Sequence, residues 1–208
     1  VDAFDPSVLF RFVDVAGVVA NGLLGALVAR RLRFDIIGFL FLAILTGLGG
    51  GMLRDVLLTT RPVAFIDPLY LVGAVSAAGV AYLVTFKGRW MSRLLTSLDM
   101  LALGCWSATG TIKALGFGLD PLPAILLGVL TAVGGGMIRD VVTGRIPVVF
   151  GGNTLYASVA VIGAAESLIL TQLGYPNLGM AASILTCTVL GLLAHRYRWT
   201  LPQKGEVR

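Results

Sequence analysis

Charge is what this 208-residue chain has least of. Asp, Glu, Lys and Arg make up 13% of it, where an ordinary soluble domain carries about 25%. Histidine occurs once, at His195, and cysteine twice, at Cys105 and Cys187. One histidine near the end of the chain excludes a nucleophile–histidine–acid constellation. With no CxxC and no Cys/His cluster, neither a metal centre nor a disulfide is expected. No GxxxxGK[ST] loop is present, and a GxGxxG fit fails because Met52 stands where the final glycine belongs. No catalytic residue is assigned, and an enzyme is not expected. The N-terminus carries Asp2 and Asp5 in place of a basic leader, so a cleavable signal peptide is not expected either. The net charge of +5 does not imply a nucleic-acid partner, because the basic residues sit in short clusters between apolar runs.

Those runs are what the chain has in abundance. It is 57% hydrophobic, with apolar stretches over 13–29, 36–53, 69–86, 94–112, 124–138, 154–173 and 178–194. Several reach the ~18–20 residues that a helix needs to cross a bilayer. The expected class is an all-α integral membrane protein with seven transmembrane helices. Loop charge orients them. Arg30, Arg31 and Arg33 follow span one, Lys87, Arg89 and Arg93 follow span three, and Arg196 and Arg198 follow span seven. The alternate connections carry one basic residue at most. By the positive-inside rule the N-terminus is expected outside and the C-terminus in the cytoplasm, in a bacterial or archaeal cell (inner) membrane.

One stretch occurs twice. Thr46-Gly-Leu-Gly-Gly-Gly-Met-Leu-Arg-Asp55 returns 85 residues later as Thr131-Ala-Val-Gly-Gly-Gly-Met-Ile-Arg-Asp140. At the same shift Pro62 falls on Pro147, Phe65 on Phe150, Asp14 on Asp99 and Gly25 on Gly110. The chain is a duplication: repeat one over 9–86 (helices 1–3), repeat two over 94–173 (helices 4–6), then helix 7 over 178–195 and a basic tail over 196–208. Three spans per repeat is an odd number, so the second copy enters from the opposite face. Inverted repeats of this kind place a functional site where they meet, near mid-bilayer.

Triplets Gly49-Gly50-Gly51 and Gly134-Gly135-Gly136 carry no side chains inside a membrane helix. They favour a break, a kink, or close approach of another helix. A break would free carbonyls suited to a monovalent cation. Arg54, Asp55, Arg139 and Asp140 lie within the spans by this count, so each is expected to face the interior with a partner. Adjacent Arg and Asp point about a third of a turn apart, which favours partners on other helices. Asp14 and Asp99 are the expected acids for the arginines, as a structural clamp or a gate. Glu166 has no counterpart, since Ala81 stands there; a cation path and a bond to a neighbouring helix both remain open. For Lys113, snorkelling to the interface and a role in the site are both open. Pairs Gly73/Ala77 and Ala74/Ala78 suit close helix packing.

Two GGGxxRD motifs in helices two and five, two inverted three-helix repeats and a seventh helix resemble the prokaryotic trimeric intracellular cation (TRIC) channels. The same group is described as bacterial membrane proteins with a glycine-transporter domain. The resemblance implies a homotrimer in the lipid bilayer with one pore per subunit, conducting monovalent cations (K+ foremost, and Na+), with no other cofactor. It implies that the two triplets are kinks lining the pore, with Arg54, Asp55, Arg139 and Asp140 around it, and it admits a lipid between subunits. Animal members carry a Lys-Glu-Val signature that this chain lacks, so phosphoinositide binding is not carried over. The alternative function is a secondary transporter of a small neutral solute such as glycine. A non-conducting scaffold is the third.

Overall fold

A computed structural model describes residues 8–84, 88–150 and 155–201. Seven α-helices account for nearly all of them: α1 (Val8–Arg31), α2 (Ile36–Leu57), α3 (Pro68–Leu83), α4 (Arg89–Gly116), α5 (Pro121–Val142), α6 (Tyr156–Gln172) and α7 (Pro176–Tyr197). Span three's expected end at 86, the start of span six at 154 and the tail from 202 lie outside the described residues. The helices start where local chemistry dictates. The Asp35 carboxylate accepts from Gly38 N at 2.8 Å, and Asp67 accepts from Leu69 N ahead of Pro68, so both satisfy orphan N–H groups at helix N-termini. Arg11 also donates to Asp67 and holds that carboxyl below its usual range.

α1, α2 and α5 are long and apolar enough to span a bilayer, as is α7, while α3 and α6 are shorter apolar helices. The molecule is an integral membrane protein of seven transmembrane helices, and its surface shows the bilayer's imprint. Phe12, Phe41, Leu126 and Leu185 stand on the outside, each more than half exposed. Thr46, Ser107, Thr111 and Thr131 are fully buried. These inner hydroxyls return their hydrogen bonds to the carbonyl one turn back, as in Thr46 Oγ1 to Leu42 O and Thr131 Oγ1 to Leu127 O, both 2.6 Å. Backbone and side chains thus satisfy one another where no water is available.

The duplication is visible in the packing. Within repeat one α1 packs on α2 and α3, and α2 on α3; within repeat two α4 packs on α5 and α6, and α5 on α6. The repeats join through α2 against α5 and α1 against α4, and α7 leans on α4 and α6 with no counterpart. Helices α2 and α5 even end alike. Thr60 N reaches Asp55 O and Arg145 N reaches Asp140 O, after a left-handed residue at Thr59 (φ 56°) in one repeat and Gly144 (φ 69°) in the other.

The triplets do not break their helices, which run unbroken through residues 49–51 and 134–136. They are instead where α2 crosses α5. A Cβ on Gly50 would collide with the Thr131 carbonyl oxygen, and one on Gly135 with that of Thr46. A Cβ on Gly134 would sit 3.1 Å from the Gly50 Cα. The expectation of freed carbonyls is therefore corrected: glycine serves here by bringing two backbones together. Gly73, Ala74, Ala77 and Ala78 are also buried within this one chain, with Ala77 Cβ against Gly22.

Candidate functional site

Two half-sites flank the α2–α5 crossing, one at the C-terminal end of each triplet helix. In the first, Asp55 at the end of α2 is fully buried. Its Oδ1 accepts from Arg54 Nε at 2.8 Å and from Lys113 Nζ at 2.7 Å, and its Oδ2 accepts from Val63 N at 2.9 Å. Asp14, on α1, takes a bond on each oxygen, from Tyr70 OH at 2.7 Å and from Trp106 Nε1 at 2.9 Å. What space remains between Asp14, Gly51, Arg54, Tyr70 and Trp106 is about 20 Å³, room for about one water molecule. This half-site is shut.

The second half-site repeats the chemistry and leaves it open. Asp140 accepts from Arg139 Nε at 2.8 Å on Oδ1 and from Val148 N at 3.3 Å on Oδ2. Asp99 accepts from Tyr156 OH at 3.1 Å. Here the groups border a cavity of about 250 Å³, lined among others by Asn21, Asp99, Gly136, Arg139, Tyr156 and His195. Asp99, Arg139 and Asp140 also line a wider cavity of about 600 Å³ that reaches Arg30, Arg31 and Arg145. Of the arginines in it, Arg139 is paired, and Arg30 donates to the carbonyls of Tyr82 and Val84 at 2.7 and 2.8 Å.

Two positions differ sharply in residue type between the half-sites. The 85-residue shift puts Trp106 on Asn21 and Lys113 on Val28. Where the first half-site has an indole and an ammonium contributed by α4, the second has an amide and an isopropyl group contributed by α1. Asn21 is 4% exposed, its side chain makes no hydrogen bond among the described residues, and it borders the cavity.

Several expectations are corrected by these distances. Arg54 and Arg139 pair with the neighbouring Asp55 and Asp140, and Asp14 and Asp99 are held by aromatic donors. The long arginine stem spans the third of a turn between the two residues, and the chain reversal beyond the helix presents Val63 N and Val148 N to the same carboxylates. Lys113 turns inward to Asp55, against the snorkelling reading. Glu166 accepts from Thr186 Oγ1 at 3.1 Å across α6 and α7. Of its two open readings, the bond to a neighbouring helix is the one seen, and it lines none of the three cavities described. Of the triplets, Gly51 and Gly136 reach the half-sites, whereas Gly50 and Gly135 are spent in the crossing.

Tyr70, Tyr156, Trp106 and Asn21 also belong to the half-sites, and no motif in the sequence marks them. The tyrosines follow their acids by 56 and 57 residues, so a one-residue difference hides their equivalence at a fixed shift of 85. Trp106 and Asn21 align in position but not in type.

A family model described as "Glycine transporter" matches the chain twice, over residues 11–86 and 96–172, the two repeats found above. A UPF0126 membrane protein of Deinococcus radiodurans is 33% identical over 194 residues, covering 92% of this chain and 90% of that protein. The UPF0126 inner membrane protein YadS of Escherichia coli K12 is 34% identical over 157 residues, 74% of this chain and 75% of YadS. The TRIC trimeric intracellular cation channel orthologue from Rhodobacter sphaeroides superposes with a TM-score of 0.84 at 30% identity, covering 93% of this chain and all of that one. Taken with the doubled GGGxxRD motif and the inverted repeats, these likenesses establish that the chain belongs to the family of UPF0126 membrane proteins with the glycine-transporter domain, which is that of the prokaryotic TRIC channels.

Proposed function

We propose that the protein is a cation channel of the cell membrane, a homotrimer in which each subunit conducts monovalent cations, potassium foremost, along the seam between its repeats. The observation that carries this reading is the open second half-site. Asp99, Arg139 and Asp140 line both the cavity of about 250 Å³, which also borders Gly136, and the wider one of about 600 Å³, and Asp99 stands there with one aromatic hydroxyl as its donor among the described residues. A carboxylate so sparsely bonded, next to the Asn21 amide, suits a partly hydrated cation. By loop charge this half-site faces the cytoplasm and the shut one faces out. Arg31 and Arg145 stand at its mouth in water, where salt screens them over about 8 Å. The Arg54–Asp55–Lys113 cluster is then the closed gate, since a path through the first half-site has to part it. The similarity to a trimeric cation channel supports both the trimer and the ion class.

One observation also favours the transporter reading. A pathway open on one side and shut on the other is what alternating access requires between inverted repeats. Proteoliposomes separate the two. A channel gives rapid potassium efflux that falls several-fold in Asp99→Asn and accumulates no glycine. Saturable glycine counterflow without potassium efflux would replace the channel with a carrier.

A further inference from the structure

The two half-sites share a backbone plan, a tyrosine-bonded acid and an Arg–Asp pair, yet the first keeps about 20 Å³ and the second about 250 Å³. Trp106 is the largest side chain that distinguishes them. It is 4% exposed, bonds Asp14, and fits against Gly17, where an added Cβ would lie 3.2 Å from the indole Nε1. Asn21, its counterpart, fills so little of the equivalent space that its own amide faces an open cavity.

We infer that Trp106 is the seal of the first half-site, that its bulk is what keeps water and ions from Asp14 and Arg54, and that exchanging it with its counterpart Asn21 moves the seal from one half of the pathway to the other. The substitution Trp106→Asn retains an N–H donor for Asp14 while emptying most of the indole's volume. The converse substitution, Asn21→Trp, fills the second cavity from the equivalent position. The consequence for current rests on the conduction reading, but the accessibility of the two half-sites does not.

The test uses cysteine accessibility in the full-length protein, purified in detergent, with Cys105 and Cys187 changed to Ala. Single cysteines go in by Gly51→Cys and Gly136→Cys. At both positions the nearest atom to an added Cβ is an arginine nitrogen, 3.7 and 3.8 Å away, so the Cβ meets only the end of a flexible side chain. A charged, water-soluble thiol reagent is expected to modify the Gly136→Cys protein readily and the Gly51→Cys protein slowly, through local opening alone. Adding Trp106→Asn should speed modification of Gly51→Cys by about tenfold or more and leave that of Gly136→Cys unchanged, which also shows that the fold survives. Asn21→Trp should slow modification of Gly136→Cys. Trp106→Phe keeps the bulk without the N–H, and Gly51→Cys should stay protected in it. A Gly51→Cys protein that reacts equally slowly with and without Trp106→Asn would overturn the inference, as would one opened equally by Trp106→Phe. A Trp106→Asn protein that also exposes Gly136→Cys, or loses its gel-filtration peak, would make Trp106 a fold residue and overturn it as well. None of these readouts needs an ionic current, so a silent bilayer would count against conduction and not against the seal.

Discussion

Asp55 and Asp140 occupy the same place in the two repeats and bear different loads. Asp55, at 0% exposure, compensates two cations, Arg54 and Lys113, while Asp140, among the described residues, compensates Arg139 alone beside a cavity that admits water. Removing one partner of a buried ion pair costs about 3–5 kcal/mol, because the remaining charge is stranded. Asp55→Asn is therefore expected to destabilise the detergent-solubilised protein by about that much, read as a large fall in melting temperature. Asp140→Asn should cost clearly less, since Arg139 borders the water-admitting cavity. Equal losses would contradict the difference in burial. The sequence marked both Arg–Asp pairs as interior charges, because apolar runs surround them. It could not show their partners. Helical phase speaks for Cβ directions, whereas the partner of a long side chain is settled by its stem and by where the following loop turns. Tyr70 and Tyr156 were hidden for a related reason: a shift of one residue between the copies conceals a pair that the fold superposes.

At the scale of the helix, the three glycines of each triplet are not equivalent. Gly50 and Gly135 touch the opposing backbone, so Gly50→Ala or Gly135→Ala must push α2 and α5 apart. The expected cost is about 1–3 kcal/mol or more, although alanine is the better helix former. Gly51→Ala and Gly136→Ala meet only an arginine tip and should gain up to about 1 kcal/mol from helix propensity. Thermal melts of the four variants check this, and a uniform response would contradict the crossing. The turn after α2 offers a second test. Thr59 is a β-branched residue at φ 56° where repeat two has Gly144, and a left-handed conformation costs an L-residue about 1–2 kcal/mol. Thr59→Gly should raise the melting temperature, and a fall would show that the Thr59 side chain contributes more than its backbone loses. The triplets were legible as special, but a break and a close crossing share one sequence signature. Only the opposing helix at the same height decides between them.

For the whole molecule, seven helices and an inverted duplication could be read directly from apolar run lengths, loop charge and an internal match, because the bilayer constrains length and polarity so tightly. The orientation proposed from the same charges has its own check: a reporter fused after Arg208 is expected to report the cytoplasm, and a periplasmic signal would invert the proposed sidedness of the two half-sites. The unequal filling of those half-sites was not legible, since it arises from side chains that each repeat inserts into the other. The most direct test is whether cations cross the protein. Single-channel recording of the purified protein in a planar bilayer under a potassium gradient should show discrete currents that reverse near the potassium equilibrium potential. A silent bilayer from protein that is folded and correctly inserted would contradict conduction.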